Sequence, residues 1–280
     1  VYKRQDTQAP LYRSRLVAKE FNNKEEEGLF AATPPLEALR LLISDVATIG
    51  KGKQERILMI NDVARAFFEA PAQRLIAVEL PDEAYEEGEE PGRVVGLLRK
   101  SLYGRREAAN NFQKEIAREM KTSGFVQGKY NPCTYYHGKR GIRVTVHGGD
   151  FVSTGERQHI QWFKRKLEER FEIKTTIIGQ GKEEVKEGRV LNRIIRTTPE
   201  GCEYEADQRH AEIIVDHLGL AKQSKPAATP SVKAAIDDSP PLSSESATAY
   251  RALVARANYL AQDRVDLGSV SYTHLRAHET

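Results

Sequence analysis

The chain has 280 residues, and its 43 Lys and Arg against 40 Asp and Glu give a formal net charge of +3. Hydrophobic residues make up 39% and charged residues 30%, a balance that excludes a collagen-like chain and a chain that is disordered throughout. Two cysteines are too few for a disulfide framework or a four-ligand zinc site. No apolar run approaches the ~18 residues of a membrane helix, and no secretory signal is visible at the start. The sequence therefore predicts an intracellular protein without a membrane span.

Hydrophobic periodicity predicts an irregular alternation of strands and helices. Strands are predicted over residues 12–18, 57–60 and 75–80, and over the arms 143–147 and 150–153 of one hairpin, whose Gly148-Gly149 turn supplies positive φ angles. Helices are predicted from Thr33-Pro34 to Gly50, over 105–122, 160–171 and 207–218, and from 248 to 262. The pattern favours an α+β fold with a mixed or antiparallel sheet over a doubly wound fold.

The two ends of the chain are interpreted as translated sequencing-library adapters. Residues 1–5 can be encoded by GTGTATAAGAGACAG, and residues 270–280 by a string that contains much of its reverse complement, CTGTCTCTTATACAC. A natural tail is the alternative. On the adapter interpretation the gene continues beyond both ends, and neither end is expected to contact the core.

Two predicted strands are each followed by an aspartate. Asp62 follows the apolar run Ile57–Ile60, and Asp150 follows the strand and turn of the predicted hairpin. Carboxylates at adjacent strand ends are suited to bind the two divalent cations, roughly 4 Å apart, that in-line nucleotidyl transfer uses. Their oxygen ligands favour Mg²⁺ or Mn²⁺. A turn or capping role for each aspartate is the alternative, and on this pattern alone it is the more common one.

Seven sequence blocks resemble, in order, the reverse transcriptase domain of copia-type retrotransposon polyproteins. Tyr12–Phe21 (YRSRLVAKEF) resembles YKARLVAKGF, and Asp62–Phe68 (DVARAFF) resembles the metal-binding DVKTAFL. The other blocks are LEALRLL at 36–42, LRKSLYG at 98–104, NPCTY at 131–135, YRALV at 250–254 and YLA at 259–261. Together they span nearly all of the chain between the two adapter-like ends.

The resemblance implies a right-hand polymerase fold and an RNA-directed DNA polymerase. It assigns residues 12–222 to the fingers, the palm and the start of the thumb or connection, 223–247 to a Ser-, Pro- and Ala-rich linker, and 248–269 to a helix that leads to a missing ribonuclease H region. The implied partners are an RNA template with a DNA primer, deoxynucleoside triphosphates, and the integrase and ribonuclease H regions of the same polyprotein. The implied location is the cytoplasm, within a virus-like particle.

The resemblance also assigns roles to individual residues. Asp62 is implied as the first metal-binding carboxylate. Phe67 is implied to exclude a ribose 2′-OH, with core packing as the alternative, and the backbone amides near Arg65 and Ala66 are implied to face the incoming triphosphate. Further nucleotide contacts are expected from Arg13 and Arg15 on a finger strand. Another is expected from Glu107, at a position where the family has glutamine. A solvated strand face is the alternative for the two arginines.

The largest departure from the family lies at the hairpin turn. The family has two adjacent aspartates there, and this chain has Gly149 followed by Asp150. Glycine is expected to preserve the turn, whereas the loss of one carboxylate is expected to impair metal binding and catalysis. The runner-up prediction is therefore a decayed, catalytically dead fragment that at most binds nucleic acid. A single A-to-G change converts an aspartate codon into the glycine codon of position 149, either in a decayed element or as an error in the sequencing read.

Overall fold

The computed structural model describes residues 2–3, 12–13, 16–21, 29–48, 55–86, 88, 90, 92–220, 224–225 and 240–268. The chain divides into two compact units, Val1–Val185 and Lys186–Thr280. The strands are β1 Tyr2–Lys3, β2 Tyr12–Arg13, β3 Arg56–Val63, β4 Ala77–Glu79, β5 Val95–Leu97, β6 Val126–Gln127, β7 Thr134–His137, β8 Ile142–His147, β9 Asp150–Glu156, β10 Ile173–Ile178, β11 Glu187–Val190, β12 Arg193–Thr198 and β13 Gly201–Glu205. The helices are α1 Leu36–Ala47, α2 Ala108–Thr122, α3 Arg157–Glu168, α4 Gln208–His217 and α5 Ser244–Ala261.

The first unit is built on a six-stranded sheet with the order β10-β3-β9-β8-β7-β6, in which every pair is antiparallel. Alternate residues of a strand point to opposite faces, and one face of this sheet is apolar. It packs against α2 and α3 in a core that includes Ile57 and Met59 of β3, Phe112 of α2 and Phe163 of α3. The α+β class and the antiparallel sheet are thereby confirmed.

Helix α1 packs on the opposite face of the sheet, against β3, β8 and β9. Asp45 of α1 accepts hydrogen bonds from Arg56 Nε at 2.7 Å and from Arg143 Nη1 at 3.1 Å. Both arginines alternate with core residues, so they lie on the face away from α2 and α3. Leu58 is buried on this face, whereas Asp62, four residues further along β3, is exposed. The sheet therefore has an open face at the Asp62 end of β3.

Several element boundaries differ from the sequence predictions. Helix α1 begins at Leu36 with Pro35 in extended conformation before it, so the predicted start at Pro34 was two residues early. Helix α2 begins at Ala108, and α5 begins at Ser244, within the predicted linker, because Ser243 Oγ accepts a hydrogen bond from Ser246 N at 3.2 Å. Of the strand predicted over 12–18, the structure shows Tyr12–Arg13 paired with Tyr2–Lys3, and residues 16–18 carry no regular structure.

Other elements were not predicted, and other predictions lie outside the described residues. The strands β1, β5, β6, β7 and β10 to β13 were not predicted from the sequence. Residues 270–280, most of 223–239 and Arg15 lie outside the part of the chain that the structure describes. No helix among the described residues combines the length and the apolar character that a membrane crossing requires.

The second unit contains a three-stranded antiparallel sheet, β11-β12-β13, and the helices α4 and α5. A buried ion pair joins its sheet to the end of α5: Arg193 Nε donates to Asp263 Oδ2 at 2.9 Å, and only 4% and 2% of the two side chains are exposed. The hydroxyl of Tyr204 donates to the other carboxylate oxygen at 2.8 Å, and Arg193 Nη1 also donates to Tyr259 Oη at 3.1 Å. These bonds satisfy both buried charges.

Breaking this buried pair is expected to unfold the second unit more easily. Asp263→Ala leaves the Arg193 guanidinium buried and without its carboxylate, and we expect the free energy of unfolding to fall by about 3–5 kcal/mol. Urea unfolding followed by circular dichroism measures the change. The matched control is Asp266→Ala, which removes the carboxylate of the exposed Arg264–Asp266 pair three residues away and is expected to change little. Equal effects of the two substitutions would contradict the assigned role of the buried pair.

Candidate functional site

Asp62 and Asp150 lie side by side on adjacent strands of the six-stranded sheet. They are directly opposed partners in the register of β3 with β9, and Val63 N donates to Gly149 O at 3.0 Å at the end of this pairing. Directly opposed residues of an antiparallel pair have their side chains on the same face, with Cβ atoms about 4.5–5.5 Å apart. The structure thus brings together the two carboxylates that the sequence analysis singled out.

Two further side chains extend this pair into a row across four strands. Lys174 of β10 is the partner of Asp62 on its other side, and His147 of β8 is the partner of Asp150. The row runs Lys174, Asp62, Asp150, His147 on the open face. Lys174 was not predicted as a site residue, because strand β10 was not predicted. His147 is half-buried, and its Nδ1 has no hydrogen-bond partner within the described part of the chain.

The two carboxylates interact electrostatically. Burial raises the pKa of Asp150 above its usual value, the negative charge of Asp62 raises it further, and His147 opposes this by lowering it. A raised carboxyl pKa shows that the charged form of Asp150 is disfavoured in this protein. A cation bound between the two aspartates would reverse that balance.

The donor set suits a hard divalent cation better than a transition metal. Mg²⁺ is commonly held by one or two carboxylates, with water and substrate phosphates completing its six ligands. Asp62 and Asp150 supply such a pair of oxygen donors on an open face. Among the residues that the structure describes, no three His, Cys, Asp or Glu side chains are grouped so that together they hold a metal ion. These two carboxylates therefore fit Mg²⁺ or Mn²⁺ better than a metal that prefers nitrogen or sulfur ligands.

Gly148 and Gly149 form the turn between β8 and β9, but they differ in conformation. Gly148 has a φ of 57°, whereas Gly149 does not adopt a positive φ, so only one of the two predicted positive angles is present. A Cβ added at Gly149 would lie 3.0 Å from Ala66 Cβ and 3.4 Å from Val63 O, while one added at Gly148 would meet nothing within 4 Å. A side chain at 149 is compatible with the backbone but requires Ala66 to shift slightly.

The loop after β3 contains the residues for which nucleotide contacts were predicted. Arg65 adopts a left-handed conformation with a φ of 54° and precedes a 3₁₀ turn over Ala66–Glu69. Its guanidinium pairs with Glu172 at 2.5 Å, and Ala64 N donates to Glu172 O at 2.8 Å. The turn packs Ala66 into the core and leaves Phe67 half-buried. This loop directly follows the end of β3 that bears Asp62.

Phe67 packs among aromatic rings. Its ring centroid lies 4.6 Å from that of Tyr103 and 6.2 Å from that of Phe112, and the residue contacts the edge of the main core. Phe68, its neighbour, contacts Tyr103 edge-on at 5.6 Å. The packing alternative for Phe67 thus has a structural basis, and the exposed part of the side chain leaves the predicted role in sugar selection open to test.

Glu107 and the finger arginines are placed differently from one another. Glu107 is buried at the start of α2, where its carboxylate accepts a hydrogen bond from Arg74 Nε. Glu20 binds Arg74 at 3.3 Å and Arg105 at 3.2 Å beside it. This pairing holds Glu107 in an ion-pair cluster, which is a structural role that its sequence position did not indicate. Arg13 is described only through its backbone in β2, and Arg15 lies outside the described residues.

Gly104, the last residue of the LRKSLYG block, has a backbone reason to be glycine. Its φ is 84°, and a Cβ there would lie 1.9 Å from the carbonyl oxygen of Ala18. Ala18 N also donates to Tyr103 O at 2.7 Å. Two of the seven blocks, Tyr12–Phe21 and 98–104, are thus held together by backbone contact that only glycine permits.

Comparison with known proteins identifies relatives of this site and fold. The family described as "Reverse transcriptase (RNA-dependent DNA polymerase)" matches residues 1–180. The retrovirus-related Pol polyprotein from transposon TNT 1-94 of Nicotiana tabacum is 22% identical over 227 residues, which cover 78% of this chain and 16% of that polyprotein. The chain is therefore distantly similar to a copia-type polyprotein and spans about one sixth of its length.

Replacing Asp62 is expected to stabilise the metal-free protein at neutral pH. The pKa of Asp150 is raised in the folded state, so the folded protein loses stability as pH increases from the unfolded pKa through the raised folded pKa. Asp62→Asn removes one cause of that shift, and we expect the free energy of unfolding to increase by about 0.5 kcal/mol at pH 7. This gain is expected to disappear below about pH 4, where Asp150 is protonated in both the folded and the unfolded protein.

Urea unfolding at several pH values measures this gain. Asp150→Asn is the matched variant, because it removes the same repulsion from the other strand. The double substitution is expected to be no more stable than the better single one. Additive gains, or a gain that persists at low pH, would show that the two carboxylates do not repel each other.

Proposed function

The chain belongs to the reverse transcriptase (RNA-dependent DNA polymerase) family, and we propose that it is part of the RNA-directed DNA polymerase of a copia-type retrotransposon. The proposed reaction is template-directed transfer of a deoxynucleotide to a primer 3′-OH, with pyrophosphate leaving. The observation that supports it most directly is the opposed pair Asp62 and Asp150 on the open face of an antiparallel sheet. Such a face is accessible to a nucleic acid duplex and to an incoming nucleotide.

In this proposal Asp62 and Asp150 hold Mg²⁺ or Mn²⁺. When bound there, such cations would supply activation of the attacking 3′-oxygen and stabilisation of the leaving pyrophosphate. The protein itself holds the two carboxylates opposite each other through the β3–β9 register, with Asp62 exposed and Asp150 half-buried. Lys174, next to Asp62 in the row, adds a positive charge at the edge where a triphosphate would approach.

The nucleotide is proposed to lie against the loop that follows β3. Backbone amides near Arg65 and Ala66 face its phosphates, and Phe67 stands where a 2′-hydroxyl would clash. Arg13 and Arg15 of the finger segment are proposed as additional phosphate contacts. Glu107 is proposed as a contact near the template, although its pairing with Arg74 supports a structural role at least as well.

The proposed partners are inferred from the family and from the tobacco polyprotein, of which this chain matches 16%. They are an RNA template with a DNA primer, deoxynucleoside triphosphates, and integrase and ribonuclease H regions of the same polyprotein. Residues 12–222 are proposed to form the fingers, the palm and the start of the thumb, followed by a linker that ends before Ser244, the C-terminal helix α5 over Ser244–Ala261 and adapter-derived ends. The proposed location is a cytoplasmic virus-like particle.

A second candidate is a catalytically dead copy that retains nucleic acid binding. The observation that favours it is Gly149, which leaves the site with two carboxylates instead of three. Because metal ions at such a site are held mainly by charge, losing one carboxylate weakens their binding. Binding to a primer–template that weakens with salt, without synthesis, would support this candidate.

Restoring a carboxylate at position 149 is expected to restore primer extension. Gly149→Asp supplies the third charge, and primer extension on an RNA template across Mg²⁺ and Mn²⁺ titrations measures its effect. We expect activity at least tenfold above that of the parent chain, which corresponds to about 1.4 kcal/mol of transition-state stabilisation. The close approach of a Cβ to Ala66 predicts a small loss of stability in the variant.

Two controls make this result specific. Gly149→Asn has nearly the same shape without the charge and is expected to remain inactive. Gly148→Asp places the same charge one residue earlier, at a left-handed position that aspartate tolerates and where a Cβ meets nothing within 4 Å. If Gly149→Asp is unstable, the added substitution Ala66→Gly removes the close contact. Equal activity of the parent chain and Gly149→Asp would contradict the assigned role of this position.

Truncating Phe67 is expected to relax sugar selection in the Gly149→Asp background. Phe67→Ala opens the space over the 2′ position, and incorporation of ribonucleotides relative to deoxyribonucleotides should rise by about tenfold or more, the equivalent of about 1.4 kcal/mol. Phe68→Ala is the matched control, because it removes a neighbouring half-buried ring that also contacts Tyr103. Single-nucleotide incorporation assays measure both. Unchanged selectivity in Phe67→Ala would show that the residue only packs.

A further inference from the structure

The turn Arg170–Glu172, which follows α3, contacts the loop 64–69 at three positions. Arg170 Nη1 donates to the Glu69 carboxylate at 2.8 Å, and Arg170 Nη2 donates to the Glu69 carbonyl at 3.2 Å. At the other end of the loop, Glu172 pairs with Arg65 and accepts the N–H of Ala64. The loop is thus held at both ends by one short segment that lies about 100 residues away in sequence.

We propose that Arg170 is a positioning residue for nucleotide-sugar selection, which holds the loop so that Phe67 stays fixed against its aromatic neighbours. The inference rests on the proposed polymerase function. Arg170 touches neither carboxylate of the row, so it acts through the loop and not on the reacting atoms. Its planar guanidinium suits this task because its donors form a rigid fork that bonds several acceptors at once.

The loop needs this external support because its own structure is weak. It contains a short 3₁₀ turn, whose hydrogen-bond geometry is poorer than that of an α-helix. The backbone of Arg65 is in a left-handed conformation that non-glycine residues adopt at a cost. Within the loop, Phe68 N bonds Arg65 O at 2.9 Å and Ala70 N bonds Phe67 O at 3.2 Å. These two bonds report directly on whether the turn is formed.

Arg170 also anchors the loop to α2. Its Nη2 donates to Glu115 Oε1 at 2.9 Å, and Arg118 Nη2 donates to the same oxygen at 2.6 Å. Burial alone would raise the pKa of Glu115, but the hydrogen bonds and charges of the two arginines outweigh it and leave that pKa lowered. Because Arg118 remains bonded to Glu115, removing the Arg170 charge does not leave a buried carboxylate unpaired, and the variant is expected to fold.

An aromatic contact path runs parallel to these polar bonds. The guanidinium of Arg170 stacks on Phe171 at 4.7 Å, Phe171 meets Phe112 at 6.4 Å, and Phe112 meets Phe67 at 6.2 Å. Displacement of Arg170 is therefore expected to disturb Phe67 in two ways. It loosens the loop backbone through Glu69, and it shifts the aromatic ring of Phe112 that contacts the ring of Phe67.

The test compares Arg170→Gln with Arg118→Gln in the full chain that also has Gly149→Asp. Both substitutions remove an arginine from Glu115, but only Arg170 contacts the loop. In Arg170→Gln we expect amide hydrogen exchange at Phe68 and Ala70 to accelerate about tenfold, and ribonucleotide incorporation relative to deoxyribonucleotide to rise by a similar factor, as for loss of one charge-assisted hydrogen bond. Arg118→Gln should change neither quantity.

Glu69→Ala is a second variant that breaks the same contact from the side of the loop. Combined with Arg170→Gln, it should have little further effect on either readout, because Arg170→Gln has already removed the bond that the Glu69 carboxylate accepts. Equal changes in Arg170→Gln and Arg118→Gln, or selectivity that is unaltered while exchange accelerates, would overturn the proposal.

The two readouts separate failure of this inference from failure of the proposed function. If Gly149→Asp incorporates no nucleotide of either kind, the polymerase assignment fails, and the selectivity claim that rests on it falls with it. Amide exchange still decides whether Arg170 positions the loop in that case. If the chain polymerises and Arg170→Gln leaves both exchange and selectivity unchanged, the inference fails and the polymerase assignment stands.

Discussion

The pairing of β3 with β9 is the constraint on which the candidate site depends. Its register runs without interruption from Arg56 opposite Glu156 to Asp62 opposite Asp150. A slip of one residue would turn every side chain of β3 to the other face, bringing Asp62 into the core and Ile57 and Met59 out of it. The free energy of apolar burial therefore sets the positions of two carboxylates that repel each other. Hydrophobic packing at one end of the strand fixes the spacing of charges at the other.

Partial coverage of the sheet gives those charges access to solvent. Helices α2 and α3 close one face with a continuous apolar core, while α1 packs on the other face, where its Asp45 bonds Arg56 and Arg143. The ion pairs hold α1 against Arg56 and Arg143, whereas Asp62, at the other end of β3, is exposed. The segment Arg170–Glu172 then links three parts of this end: it follows α3, contacts the loop after β3, and leads into β10, which adds Lys174 to the row.

The sequence predicted the parts of the fold whose signals are local. The hairpin arms 143–147 and 150–153 were predicted because alternating residues flank a Gly-Gly turn, and the two aspartates were singled out because each follows an apolar strand. Strand β10 was missed because its sequence, IKTTII, lacks clean alternation and becomes a strand only by pairing with β3. The roles of Glu107 and Arg170 were also inaccessible, since their partners lie 33 and 101 residues away along the chain. Family resemblance supplied the expected chemistry, but not the contacts that hold the loop.

Glycine at position 149 illustrates how folding and metal binding make opposite demands on one turn. The fold gains from glycine, because a Cβ would lie 3.0 Å from Ala66 and a third carboxylate would add to a repulsion that already raises the pKa of Asp150. Only a bound cation compensates for that repulsion, so a carboxylate at 149 is favourable solely in a protein that holds metal. In the proposed decayed copy, glycine at position 149 would therefore favour folding at the expense of metal binding. The other elements of the site, including the opposed aspartates and the loop that bears Phe67, are held by packing and ion pairs that folding itself requires. They remain in place whether or not the chain polymerises.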